Sequence, residues 1–316
     1  MTTSLSCDAL KASLACGLLG FPLTDFAADD SFAAQPFGDR VRFLGAQGCA
    51  ALFVASAAGE FFSLTRDEYA ALIETAVAAR PEGVPVLGAA GGSTRDAIEQ
   101  IRLAERAGAD GILLLPPYLA EVSQDGLFAH ISAICRSTSL GVIVYSRANG
   151  RVRPPTLAKL ADQCPNLIAL KDGVGDAEDL WTMRTALSGR LVFLNGMPTA
   201  EIYAPSYRAM GVPTYSSAVY NFAPSAAMAF FNAVQAGDAA LTDEMMRAFF
   251  LPYGRIRSRQ PGYAVSIVKA GVDIAGRSAG RVRPPLSSLT SEEYDELAPL
   301  IGALQTFEKA SYVVIK

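Results

Sequence analysis

Apolar residues arrive along this chain in short unbroken runs rather than in strict alternation with polar ones. The runs fall at 17–24, 51–54, 85–90, 111–115, 140–146, 167–171, 191–195 and 212–219, each followed by a polar or glycine-rich loop and then an amphipathic segment. Runs of this length predict strands covered on both faces. The segments between them carry helix signals. Ser63-Leu64-Thr65-Arg66-Asp67-Glu68 precedes an alanine-rich stretch, and Ser93-Thr94 stands before a helix over 95–107 that Gly108 stops. Eight strand–helix units predict an α/β fold with a parallel sheet closed into a (β/α)8 TIM barrel. A doubly wound open sheet has the same spacing and is the alternative.

After Gly237 the strand signal ceases. Residues 243–250, 262–275 and 291–307 read as helices, with Pro252, Pro261 and Pro284-Pro285 as punctuation. The expected division is therefore 1–236, a barrel carrying the active site, and 237–316, a small C-terminal helical appendage. The longest uncharged stretch, 209–237, is interrupted by Pro213, Thr214, Ser216, Ser217, Asn221 and Pro224, so it reads as strand, loop and helix and not as a membrane span.

Composition narrows the class of partner. Of 316 residues, 51% are hydrophobic and 18% charged, a balance for a packed globular chain. The 27 basic and 31 acidic residues leave a net charge of −4, with no electrostatic footprint for nucleic acid or an anionic membrane. Small molecules are the expected partners. Five cysteines, Cys7, Cys16, Cys49, Cys135 and Cys164, show no CxxC spacing and fit reduced thiols of a cytoplasmic protein. The amino terminus shows no basic region followed by a clean apolar run, so secretion is not expected.

In a barrel of this kind the active site is built at the C-terminal ends of the strands. Those ends read Thr24-Asp25, Ser56-Ala57-Ala58-Gly59-Glu60, Gly88-Ala89-Ala90-Gly91-Gly92, Pro116-Pro117-Tyr118, Tyr145-Ser146-Arg147, Lys171-Asp172, Asn195-Gly196 and Ser216-Ser217. Of six lysines, Lys171 alone stands at the end of an apolar strand; Lys11, Lys159, Lys269, Lys309 and Lys316 fall in helical or terminal segments. Burial disfavours an ammonium ion, and the free amine it leaves is a nucleophile for Schiff bases with carbonyl substrates. The plainer alternative is a lysine whose head reaches solvent or pairs with Asp172. Tyr145, one strand away, suits proton transfer or plugs the barrel top. Arg147 suits a carboxylate held bidentately, or a surface ion pair. His130, the one histidine, falls within 126–137, away from any strand end, and reads as structural. No histidine or cysteine cluster has metal-ligand spacing and no histidine is placed for a Ser-His-Asp triad, so neither a metal site nor such a triad is expected. The glycines of 88–92 match no phosphate-binding pattern and read as a loop.

These residues resemble the dihydrodipicolinate synthase and N-acetylneuraminate lyase superfamily of Schiff-base barrels, over nearly the whole chain. Leu170-Lys171-Asp172-Gly173 with Gly175-Asp176 resembles its Schiff-base strand, Val144-Tyr145 its proton-relay tyrosine, and Gly59-Glu60 the end of its second-strand loop. Within the superfamily the chain is most similar to the 5-dehydro-4-deoxyglucarate dehydratases, through 20–26, 59–64, 111–116, 196–201, 214–219 and Gly262-Tyr263-Ala264-Val265-Ser266.

The resemblance implies a homo-oligomer, commonly a tetramer, acting on a six-carbon sugar diacid without a cofactor. It implies dehydration and decarboxylation to 2,5-dioxopentanoate through an imine on Lys171, with Tyr145 moving the proton. Arg147 and the amides of Ala57 and Ala58 are expected to hold carboxylates, and Asn195, Gly196, Ser216 and Ser217 to line the substrate's hydroxyls. The chain also departs from the pattern. Ala57 and Ala58 replace a threonine pair, of which the dehydratases keep the second; Leu119 replaces a tyrosine that synthases offer across a subunit interface; Asn195 replaces a more usual glycine. A hydroxyl relay from position 58 is thereby removed. The competing readings are a Schiff-base aldolase of a 2-keto-3-deoxy sugar acid and an inactive barrel that only binds one.

Overall fold

The computed structural model describes residues 5–119 and 121–311. Lys316 and the first four residues, on which the reading of the amino terminus partly rests, lie outside them. Eight parallel strands form a closed barrel in sequence order: β1 (Leu19–Gly20), β2 (Ala51–Val54), β3 (Val86–Ala90), β4 (Gly111–Leu114), β5 (Gly141–Ser146), β6 (Leu167–Asp172), β7 (Val192–Asn195) and β8 (Thr214–Ser217). Leu19 of β1 lies beside Ser216 of β8, which closes the ring and rules out the open sheet. All eight predicted runs are strands, with helices covering the sheet. Arg66–Ala79 starts from a reciprocal cap in which the Thr65 side chain accepts from the Glu68 N–H and Glu68 reaches back to the Thr65 N–H. Thr94–Ala107 starts at Ser93 and ends at Gly108 with φ +85°, a conformation glycine adopts without strain. No helix among the described residues is long and apolar enough to cross a membrane.

Two strands, β1 and β8, are shorter than their apolar runs by more than one residue. The first run extends over 17–24, yet only Leu19 and Gly20 join the ladder, because Pro22 has no N–H to offer. The Asn221 side chain serves the continuing backbone instead, donating to the Phe21 carbonyl at 2.9 Å and accepting from the Leu23 N–H at 3.1 Å. At the other seam Pro213 delays β8, and a tight turn over Val219–Asn221 ends the apolar run.

Pro252 does not act as the expected break. The chain stays helical through Ala239–Met245, a wide π-helical turn at Met246–Phe250 and Leu251–Arg257. A proline ring clashes with the carbonyl four residues back, here Ala248, and the widened turn holding Ala248 relieves that clash. The helix therefore continues far enough to carry Tyr253 and Arg257 onto the barrel.

The C-terminal helices share one continuous core with the barrel. They are also fastened by buried charge. Glu60, in the loop after β2, pairs with Lys269 of helix Tyr263–Ile274 at 2.9 Å, both side chains almost wholly enclosed. Its other oxygen accepts from the Arg283 N–H at 2.9 Å, and the Arg283 guanidinium reaches Ser63 and Glu68. Glu60 holds a left-handed backbone conformation, φ +54°, that a non-glycine residue adopts only when its surroundings fix it. Removing one partner of a buried pair strands the other charge, so Glu60→Gln is expected to destabilise the fold by about 3–5 kcal/mol. Denaturant unfolding checks this, and adding Lys269→Met should restore part of the loss.

Candidate active site

At the C-terminal ends of the strands lies a cavity of about 120 Å³. The loop after β2 contributes Ser56, Ala57 and Ala58; β5 contributes Tyr145 and, just beyond it, Arg147; β6 contributes Lys171; and β8 contributes Ser216. Phe21 closes one side, and Gly196, Met197 and Thr199 form the rim after β7. Tyr253, Arg257, Ala264 and Val265 of the C-terminal helices also line it.

Lys171 is 6% exposed. Its Nζ stands 4.1 Å from the ring centre of Phe21 and 4.4 Å from that of Tyr145. Burial, with the Arg147 guanidinium adding to it, pulls its pKa down to about 7. The cation–π attraction of the two rings favours the ammonium form, but is smaller than the loss of hydration. Asp172 does not pair with the amine. Successive strand residues point to opposite faces, and Asp172 turns outward, accepting from the Tyr207 hydroxyl at 2.6 Å and the Val174 N–H at 3.0 Å. Both plainer accounts of Lys171 thus fail on geometry.

Tyr145 sits beside Lys171 in the ladder. Its hydroxyl donates to the Gly196 carbonyl at 2.8 Å and accepts from Arg147 Nη1 at 2.9 Å. Burial raises its pKa and Arg147 only partly offsets this, so the phenol holds its proton at neutral pH. Gly196 is needed for close approach. A Cβ there would come within 2.6 Å of Lys171 Cγ and 2.9 Å of Tyr145 Cε2.

The loop after β2 borders the cavity through Ser56, Ala57 and Ala58. Ala57 and Glu60 close one turn through Glu60 N–H to the Ala57 carbonyl, and Phe61 donates to the Ser56 carbonyl. The Thr24 hydroxyl pins Gly59 from below. Neither the Ala57 nor the Ala58 N–H has a hydrogen-bond acceptor among the described residues. Both residues line the cavity with Lys171, and unpaired backbone N–H groups are the kind of donor that can take an anion without a side chain.

Strand parity sorts the remaining candidates. Ser216 shares the inward parity of Lys171 and lines the cavity. Asn195 and Ser217 share the outward parity of Asp172 and are absent from it. The Asn195 amide donates to the Ala200 carbonyl at 2.9 Å and accepts from the Met197 N–H at 3.0 Å, shaping the rim rather than touching its contents. Ser217 donates to Glu201 at 2.6 Å, a buried carboxyl whose pKa desolvation raises to about 7. His130 meets the Thr94 hydroxyl at 2.8 Å on the barrel's flank.

Sequence reasoning missed Phe21, Met197, Thr199, Tyr253 and Arg257 as cavity residues. The last two stand four residues apart, one helical turn, and that spacing was the available signal had Pro252 not been taken as a break.

The chain matches the model of the dihydrodipicolinate synthetase family over residues 15–304. It is 52% identical over 292 residues, 92% of this chain and 96% of the relative, to a protein of Pseudomonas fluorescens (strain Pf0-1) named as a probable 5-dehydro-4-deoxyglucarate dehydratase. A Leptothrix cholodnii protein of the same name is 50% identical over 300 residues, 95% of this chain and 99% of that one. Among solved structures, dihydrodipicolinate synthase from Oceanobacillus iheyensis superposes with a TM-score of 0.86 at 22% identity, covering 95% of this chain and 100% of that one. YagE from E. coli K12, solved in complex with pyruvate, gives 0.81 at 27% identity over 92% of this chain and 98% of that one. An eight-stranded barrel with a C-terminal helical region, matched by the family model from residue 15 to residue 304, is a member of the dihydrodipicolinate synthetase family.

Proposed function

We propose that the protein is a 5-dehydro-4-deoxyglucarate dehydratase, converting that sugar diacid to 2,5-dioxopentanoate, CO2 and water through an imine on Lys171. The observation that carries this reading is the enclosed Lys171 amine, its pKa near 7, beside a protonated Tyr145 phenol and two unpaired backbone amides. The names of relatives 52% and 50% identical over almost their full length supply the substrate.

The chemistry follows from these groups. The Ala57 and Ala58 N–H groups hold the carboxylate next to the ketone, which presents the carbonyl carbon to the Lys171 amine. Loss of water gives the iminium, whose positive nitrogen acidifies the neighbouring methylene. Removal of that proton forms an enamine, and its electrons expel the hydroxide two carbons from the imine carbon, Tyr145 carrying the proton that makes this water. The resulting conjugated iminium accepts the electron pair of the far carbon–carboxylate bond, releasing CO2. Protonation of the dienamine and hydrolysis free the dioxo acid and restore the amine. Atoms balance as diacid to dioxo acid plus CO2 plus water, and the Lys171 nitrogen is the only electron sink used.

Loss of the hydroxyl at position 58 leaves proton transfer to Tyr145, which has Arg147 behind its oxygen. An aldolase in the same scaffold would cleave a carbon–carbon bond to release pyruvate. Incubation with the diacid should therefore yield one CO2 per substrate and no pyruvate; pyruvate without CO2 would replace this reading with the aldolase one.

A further inference from the structure

We propose that Arg257 binds the second carboxylate of the substrate, the one remote from Lys171, and so makes the site selective for diacids over monoacids; this deepens the Schiff-base reading and rests on it. The lining of the cavity contains three basic side chains, Arg147, Lys171 and Arg257, and no aspartate or glutamate. Lys171 is the group that forms the imine. Arg147 is engaged with the Tyr145 hydroxyl beside it. Arg257 is different, for its Nε is enclosed and has no hydrogen-bond partner, and no carboxylate pairs with its guanidinium among the described residues.

An enclosed guanidinium N–H without an acceptor is a costly arrangement, and natural structures complete it with a ligand or water. The position of Arg257 shows which ligand group fits. It lies one turn after Tyr253 on the helix that covers the barrel mouth, so the two side chains share the face turned to the cavity, while Lys171 rises from the barrel. With the first carboxylate on the Ala57 and Ala58 amides beside Lys171, the far end of a six-carbon chain is left for the C-terminal wall. A planar guanidinium takes a carboxylate through two hydrogen bonds. A dicarboxylate also matches the two arginine charges, whereas a monocarboxylate leaves the enclosed Nε of Arg257 without an acceptor. Because this pair forms before any bond breaks, its loss falls on ground-state binding.

The test compares 2-oxoadipate with 2-oxohexanoate, two six-carbon 2-keto acids that differ only in the second carboxylate. The readout is the concentration of each that half-saturates borohydride trapping on wild type, Arg257→Gln and Arg257→Lys. Wild type is expected to favour the diacid roughly 10- to 100-fold, the size of one charge-assisted contact. Arg257→Gln should erase that preference by weakening 2-oxoadipate alone, and Arg257→Lys should keep part of it. A preference that survives in Arg257→Gln, or an equal weakening of both acids, overturns the proposal. Calorimetric titration of the same acids into Lys171→Ala and Lys171→Ala/Arg257→Gln reads the contact without an imine. Absence of a wild-type adduct counts against the Schiff base, and absence of a diacid preference in Lys171→Ala counts against Arg257.

Discussion

Lys171→Ala is expected to abolish turnover, with a loss on the order of 10⁴-fold or more, because in the proposed mechanism no other residue supplies the electron sink for either elimination or decarboxylation. No other lysine lines the cavity. The variant should nevertheless fold. An amine whose pKa falls from 10.5 to about 7 on folding binds fewer protons in the native than in the unfolded state between those pH values. Native stability therefore carries a penalty below about pH 7 that fades as the pH climbs toward 10.5, and removing the amine removes the penalty. A thermal melt of Lys171→Ala at neutral pH should match or exceed that of wild type. The same shift sets the pH profile of imine formation. At pH 7 about half of such an amine is free, against roughly one in three thousand of an ordinary lysine. Trapping should rise through pH 7 and level off by pH 8, instead of climbing on toward 10.

Tyr145→Phe has the second largest expected effect, a fall in kcat of about 10²- to 10⁴-fold, the span for loss of a positioned proton-transfer group. The phenol is raised above its usual pKa by burial and holds two hydrogen bonds, to the Gly196 carbonyl and from Arg147. The ring is retained in the variant, so the wall against Lys171 survives and an adduct should still form on the amine. Proton movement is what should fail. Exchange of the methylene hydrogens of 2-oxoadipate in D2O, followed by NMR, separates the two steps. Trapping with slowed exchange supports the assignment, while exchange at the wild-type rate would pass the proton to another group.

How much of this was legible in the sequence depends on the interaction concerned. The barrel could be read because each strand is buried on both faces and announces itself as an unbroken apolar run. Lys171 could be read because a charged residue ending such a run is an exception that local chemistry must explain. Asn195 and Ser217 misled because strand parity, not proximity to a strand end, decides which side chains enter the barrel. A shift of one residue separates Ser216 in the cavity from Ser217 on Glu201. Arg257 was hidden for a non-local reason. Its helix passes through Pro252 with the wide turn before it, and the C-terminal region is held to the barrel by a shared core and by the ties of Glu60 to Lys269 and Arg283. No propensity scale registers a contact between residues 60 and 269.

The central claim is that one amine runs both halves of the reaction. It is tested most directly by adding borohydride during turnover of 5-dehydro-4-deoxyglucarate and mapping the modified peptide by mass spectrometry. The account predicts reduced adducts on the Lys171 peptide alone, at masses of the intact diacid, its dehydrated form and the decarboxylated five-carbon chain. CO2 release without any adduct on Lys171, or an adduct on another residue, would contradict it.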